Sequence, residues 1–396
     1  MSVLRALANG FVRLFSSLGL SAALIMTLAL LTWLGTLAQV HTSLYDVVRT
    51  HFNSLWFFHQ AGPIRIPLPG AASILALLSV NLIVGGLVRL RKSRDMLGIG
   101  ITHIGILMLI ASGAGKLWLA KEGHVTLYEG ESDNRYLDFH EVEIAIREYG
   151  EGGSVTERAI SSKHFKSATG ANPARFPATA LPFDLEVRHF FSNSQALPKG
   201  PMFDVKVPVE EGMFLRKLPR ARDSAESNLP GAYLTLRPKD GSASKSAWVW
   251  LAELAPFSFE FDNRRFTIGL RKRAYDLPFD IHLDDFEKVD HPRTGIAESF
   301  SSQVTVNESG TSRPVLIGMN EPLRTGNFII FQTSWGPRNA RPSDRLFSTL
   351  TVVRNPTDQY PLYSLIVITA GLLIHFGMKL YGQLIESGQN QEKLPA

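Results

Sequence analysis

Continuous hydrophobicity and strict alternation divide this chain into two kinds of territory. Four windows stay apolar for the length of a membrane crossing: 18–37, 70–88, 97–119 and 362–380. About 20 helical residues at roughly 1.5 Å each cover a hydrocarbon core of roughly 30 Å. The pattern therefore predicts transmembrane helices over about 18–38, 70–90, 97–119 and 362–382. At Lys121 the pattern changes to period two: Val142, Ile144 and Ile146 alternate with Glu143, Ala145 and Arg147, and Phe183, Leu185 and Val187 with Asp184, Glu186 and Arg188. Similar short runs lie at 203–209, 233–236, 266–270, 279–283, 303–306, 328–332 and 350–353. Separated by Gly, Pro, Asn and Asp, they predict antiparallel strands in a sandwich or open barrel. Residues 154–177 and 216–230 are polar and poorly periodic and read as loops or edge insertions.

The fold class that follows is a membrane protein with four transmembrane α-helices and a large antiparallel β-rich extracytoplasmic domain. Its parts are a membrane domain over 1–120, the β domain over 121–361, the fourth helix over 362–382, and a polar, disordered cytoplasmic tail over 383–396. Arg89, Arg91, Lys92 and Arg94 crowd the short link between the second and third windows, and such a cationic loop belongs on the cytoplasmic side. Arg5, Arg13 and Lys379 fall on the same side if each window crosses once. Both termini are then cytoplasmic and residues 121–361 lie outside, periplasmic or otherwise extracytoplasmic, in a bacterial cell whose inner (cytoplasmic) membrane holds the chain. The first window is too long for the h-region of a secretory signal, about 7–15 residues, and reads as a retained anchor. Residues 40–69 carry His41, Tyr45, His51, Trp56, Phe57, Phe58 and His59, an aromatic-rich segment suited to the headgroup region.

Composition narrows the chemistry. The net charge of +5 comes from cations spread along the chain, which is not a nucleic-acid footprint. Cysteine is absent, so there is no disulfide, thiolate metal site, CxxC pair or CxxCH attachment motif; the chain is neither a c-type cytochrome nor a thiol oxidoreductase. No GxSxG or HExxH occurs. The GAGK at 113–116 lacks the rest of a phosphate loop and, at the end of an apolar window, reads as small-residue helix packing. Asp284, Asp285, Glu287 and Asp290 lack calcium-loop spacing and read as a solvated strand end.

Two histidines lie inside apolar windows. His103 sits six residues into the third, and His375 six residues before Tyr381 in the fourth; at roughly 1.5 Å per residue each is about 9 Å from the cytoplasmic end, so similar depth is expected. An ionisable group in hydrocarbon is a functional candidate, and neutral imidazole is an axial ligand for haem iron. The alternative for each is a hydrogen-bonded packing histidine.

The motifs THIGILMLIASG (from Thr102), GHVTLYEGES (Gly123), LPFDIHLDDFEKV (Leu277), SFSSQVTV (Ser299), MNEPLRTGNFIIFQTSW (Met319) and LTVVRNP (Leu350) come in one order. With LGTLAQ (Leu34) and NLIVGGLVRLRK (Asn81), the chain resembles the ResB family of cytochrome c biogenesis proteins over most of its length, except near 150–230. The resemblance implies an accessory subunit that pairs with a CcsA-type membrane protein and brings haem to the outer face for thioether attachment to apocytochrome c. Apocytochrome c and thiol-reducing proteins are the further partners implied, and non-covalent haem b the cofactor. His103 matches the family's candidate membrane haem ligand, whereas His375 is a candidate for the haem iron by depth alone. The partner's tryptophan-rich WWD segment is missing, Trp248 and Trp250 lying in a strand-like run, so no holocytochrome c synthase activity is expected of the chain alone. The rival class is a membrane scaffold for an electron-transfer complex that handles no haem.

Overall fold

Packing divides the chain into two units, Met1–Ala120 with Arg354–Ala396, and Lys121–Val353. The computed structural model describes residues 2–91, 93–150, 153–201, 203, 205–292, 297–337, 341 and 344–392. Lys92 of the basic link and the tail beyond 392 lie outside the described residues.

The first unit opens with a helix that continuous hydrophobicity did not reveal, α1 (Ser2–Phe15), because its apolar residues recur at helical spacing instead of in one run. Ser17 then caps α2 (Leu18–Ala38), its Oγ accepting the Leu20 N–H at 3.4 Å. A short α3 (Leu44–Val47) continues as a π-helical turn, Val48–Phe52, and leads into a hairpin of β1 (Trp56–Ala61) and β2 (Ile64–Pro69). The hairpin splits the aromatic segment by face: Trp56 and Phe58 are exposed, while Phe57 is buried with Leu24 and Leu31 of α2 and Ala71 and Ile74 of α4 (Ala71–Asn81). From Leu82 to Val88 the α4 axis continues as a π-helix. After a single 3-10 turn, Arg94–Met96, follow α5 (Leu97–Leu119) and, beyond the β-rich unit, α6 (Tyr360–Glu392).

Among the described residues four helices are long and apolar enough to cross a membrane: Leu18–Ala38, Ala71–Val88, Arg94–Leu119 and Tyr360–Ile385. Their most apolar windows are only 11–17% buried, so most of that apolar surface is left without protein cover. The α5–α6 seam is built on small residues at seven-residue spacing, Gly98, Gly105 and Ser112, all buried. A Cβ on Gly98 would come within 2.5 Å of the His375 backbone nitrogen, and one on Gly105 within 2.9 Å of the Ile368 nitrogen. Of the GAGK glycines, Gly115 packs on Thr357 while Gly113 faces open space. The segment from Gln383, expected to be disordered, is helical through Glu392.

The second unit holds, among the described residues, β3 (Lys121–Tyr128), β4 (Ser132–Tyr149), β5 (Val155–Ser161), β6 (Ala174–Phe176), β7 (Phe183–Phe191), β8 (Ser194–Pro198), β9 (Met213–Lys217), β10 (Gly231–Pro238), β11 (Lys245–Trp250), β12 (Phe257–Phe261), β13 (Arg264–Asp290), β14 (Ala297–Glu308), β15 (Thr311–Gly318), β16 (Leu323–Thr325), β17 (Phe328–Gly336) and β18 (Phe347–Arg354). One sheet runs β15-β14-β13-β4-β3-β18-β17-β16, with β5 added on β4 and β12 on β13; a second runs β11-β10-β7-β6; β8 and β9 form a separate hairpin. The pairings of β13 with β4, β12 and β14 are antiparallel.

The 27-residue β13 serves two cores. Its first part supplies Phe266, Ile268 and Leu270 to a layer shared with Ile144 and Ile146 of β4 and with Phe183, Leu185 and Leu234 of the four-stranded sheet. Beyond register shifts near Lys272 and Asp276, it supplies Leu277, Phe279, Ile281 and Leu283 to a second cluster with Val304, Val306, Ile330 and Val352. One sequence expectation fails here. The described residues of 203–209 form no strand, Asp204 lying outside them; Pro208 has no N–H to give a ladder. The stretch 154–177 holds β5 and β6 at sheet edges, which bears out the edge alternative over the loop; β5 gave no strand period because it is largely exposed with polar residues on both faces.

Candidate functional site

His103 is positioned by two helices. Position 102 of α5 faces α6, where Thr102 lies against Gly371; one residue on, His103 turns toward the end of the α4 continuation. That end is π-helical and stops at Val88, which leaves its last carbonyls without partners inside the helix. The Gly86 carbonyl is one of them, and His103 Nδ1 lies 2.8 Å from its oxygen. Glycine is required for that approach, since a Cβ at position 86 would sit 2.6 Å from Nδ1.

The bond fixes the tautomer. A carbonyl oxygen can only accept, so Nδ1 carries the proton and donates it, and in the neutral ring the lone pair is on Nε2. Nε2 has no hydrogen-bond partner among the described residues. A ring held at Nδ1 by a backbone carbonyl, with Nε2 free, is how proteins orient an imidazole toward a metal, and this donor chemistry fits a haem iron.

His375 is built differently. The α5–α6 seam sets its backbone against Gly98, five residues and about 7.5 Å along the α5 axis from His103. The two backbones, expected at similar depth, are therefore offset along the seam, because helix packing and not distance from a charged end sets the level. The His375 Nδ1 is buried without a hydrogen-bond partner, so nothing orients the ring as Gly86 orients His103. The two histidines face different neighbours and share no partner among the described residues.

The remaining polar groups of this unit brace it. Asn81, 5% exposed in an apolar helix, accepts from Ser21 Oγ at 2.6 Å and donates to the carbonyls of Phe15 and Ser17 at 2.9 and 3.2 Å. These bonds hold α4 to the α1–α2 junction. Arg89 Nη1 donates to Ser16 Oγ at 2.6 Å across the same junction. His51 is buried against Phe57, ring centres 4.4 Å apart, with Nδ1 unpartnered. Burial lowers its pKa and His59 adds to the lowering, while the Val47 backbone partly opposes it. The roles of Gly86 and Asn81 were not read from the sequence, although the signals stood in NLIVGGLV: one amide and a glycine pair interrupting an otherwise apolar window.

In the β unit, Trp248 and Trp250 lie on β11, and Trp250 Nε1 donates to the Ser194 carbonyl at 3.2 Å. Asp284 accepts from Thr305 Oγ1 at 2.8 Å and Asp290 pairs with Lys288 at 2.7 Å. Among the described residues no group of three or more His, Asp or Glu is arranged to hold a metal ion.

These features define a class: a chain with four bilayer-length apolar helices, one of which carries an oriented histidine, joined to a large antiparallel β unit. The model of the ResB-like family matches residues 246–343, about a quarter of the chain. The resemblance carried by the motifs therefore holds, and three of them, from Leu277, Ser299 and Met319, lie within the match. The match lies wholly in the β unit, so His103 and the helices are outside it. The ResB-like family is associated with cytochrome c biogenesis. A search of curated proteins gives no match to this chain.

Proposed function

We propose that this protein is an accessory membrane subunit of a cytochrome c biogenesis complex that delivers haem, acting with a CcsA-type partner and serving apocytochrome c. The observation that carries the reading is the His103 Nδ1 bond to the Gly86 carbonyl, which leaves Nε2 as the ring's free electron pair. In this reading Nε2 of His103 holds the iron of non-covalent haem b. Haem, when bound, is the group that becomes attached to apocytochrome cysteines. The chain's own contribution is to orient one imidazole, keep it in one tautomer, and surround it with apolar helix. His375, with no orienting bond, is the weaker candidate, and a ligand from the partner subunit satisfies the same chemistry.

The orientation follows from charge. Arg5, Arg13, Arg89, Arg91, Arg94 and Lys379 mark the cytoplasmic side, so both termini face the cytoplasm of a bacterial cell and the β unit lies outside its inner membrane. Because the WWD segment belongs to the partner, the chain is expected to need that partner for haem attachment.

The test is His103→Ala, co-expressed with the CcsA-type partner. The complex should assemble and lose the visible spectrum of bound haem, and added imidazole should restore part of it by occupying the vacated position. Retained haem and full cytochrome c maturation would remove the ligand claim. A colourless wild-type complex would instead favour the scaffold that handles no haem.

A further inference from the structure

We infer that α1 is a membrane-surface helix that lies on anionic phospholipid at the boundary from which α2 departs. At 3.6 residues per turn, Leu7, Phe11, Leu14 and Phe15 fall within an arc of about 100°, and Arg5, Asn9 and Arg13 occupy an opposite arc of about 80°. The apolar arc is largely uncovered: Leu7 is 67%, Phe11 50% and Leu14 56% exposed. A helix so divided, with arginine on the polar arc, suits the plane between headgroups and acyl chains.

Continuity says what covers the apolar face. Only Ser16 and Ser17 separate α1 from α2, a helix of bilayer length. The junction is held at that level by Asn81, which takes the Phe15 and Ser17 carbonyls, and by Arg89, which takes Ser16 Oγ. An apolar arc tied so closely to the start of a span must lie at the membrane boundary, where acyl chains are the available apolar phase. Charge says which lipid. Arg5 and Arg13 lie on the polar arc of the helix, and Arg89, Arg91 and Arg94 belong to the link that ends on the same side as the junction. Five cations at one boundary select anionic headgroups over zwitterionic ones.

The inference rests on α2 crossing the bilayer and is independent of haem. Because the chain has no cysteine, single labels are placed cleanly. The full-length protein is reconstituted into vesicles of phosphatidylcholine with phosphatidylglycerol, carrying a nitroxide at Leu7→Cys, Asn9→Cys or Ile25→Cys. Collision with oxygen reports lipid, and collision with a water-soluble nickel chelate reports water. The oxygen-to-nickel ratio at position 7 should exceed that at position 9 several-fold, as expected of an apolar face sunk below the headgroups. In pure phosphatidylcholine, or with Arg5→Gln and Arg13→Gln together, the ratio at position 7 should fall several-fold. Equal ratios at 7 and 9 in the anionic vesicles, with position 25 lipid-exposed, would overturn the surface helix while leaving the span intact. An unchanged ratio at position 7 without anionic lipid would overturn the lipid assignment. A water-exposed label at position 25 would instead refute the span itself.

Discussion

Acidification tests the ion pairs that hold β5 onto β4. Glu157 of β5 accepts from Arg147 Nε at 2.7 Å and from Arg271 Nη1 and Nη2 at 2.9 and 2.5 Å, and it lies 3.6 Å from Arg135 Nη1. Partial burial alone would raise its pKa, but the hydrogen bonds and charges of Arg271 and Arg147 outweigh burial and bring the carboxyl from 4.5 down to about 2. Converted in full at about 1.36 kcal/mol per pKa unit, that shift is worth about 3.4 kcal/mol. The Glu157 side chain is 26% exposed and its arginines 23–43%, so solvent screening brings the contribution to about 1.5 kcal/mol. Since the folded pKa lies below the unfolded one, the contribution is complete above pH 4.5 and disappears as pH falls toward about 2. In Glu157→Gln, Arg271 keeps Glu143 at 2.9 Å, so no buried charge is stranded. Hydrogen exchange of amides 155–161 is the assay, comparing variant and wild type at each pH. At pH 7 the variant should exchange about tenfold faster, since about 1.4 kcal/mol is a factor of ten. Near pH 2 the two should coincide. The same ratio at both pH values would refute the reasoning and leave the backbone ladder as what holds β5.

Three further outcomes are expected. Glu253 has the opposite linkage: burial pushes its carboxyl up to about 7, and Oε2 has no hydrogen-bond partner, so its burial opposes folding as pH rises through the window from 4.5 to about 7. Glu253→Gln should therefore raise stability by about 1–2 kcal/mol at pH 8, after discounting for partial exposure, and leave it unchanged at pH 4, as read by urea unfolding. Gly105→Val should weaken the α5–α6 seam by about 1–3 kcal/mol in detergent melts, because the new Cβ meets the Ile368 nitrogen and the Ser364 carbonyl. Gly113→Val, facing open space, serves as the control, and equal losses would deny the seam. A reporter active only outside the cytoplasm should work when fused after Gly241 and be silent at Ser93; activity at Ser93 would reverse the orientation.

Much of the fold was legible because each unit repeats one simple period. The four long windows needed only uninterrupted apolarity, and strands such as β7 and β10 needed only an apolar residue at every second position facing a buried layer. What escaped lacked that signature. The α1 helix has only one apolar stripe, β5 is held by arginine–glutamate pairs and exposes both faces, and the hairpin of β1 and β2 was hidden inside an aromatic segment that suits an interface equally well. Residues 203–209 show the converse. Phe203, Val205, Val207 and Val209 alternate faultlessly, yet Pro208 cannot donate to a ladder, and alternation without a partner strand makes no sheet.

The candidate site was legible only in part, and the reason is geometric. A histidine in an apolar window announces itself by its desolvation cost, so position alone marked both His103 and His375, and only the family resemblance favoured His103. Three dimensions separate them through their neighbours. Gly86 is 17 residues before His103, contributes no side chain, and matters because its carbonyl is left over where a π-helical turn ends. No residue type records that a carbonyl is unpaired; the sequence records only the glycine that makes room. His375 meets instead the glycine of a tight helix crossing, which fixes its backbone and leaves its ring nitrogen without a partner. An imidazole is prepared for a metal by the bond on its other nitrogen, and among these two that bond belongs to His103. Substituting Gly86 should thus disturb the His103 ring as surely as altering His103 itself, although nothing at position 86 can touch a ligand with a side chain.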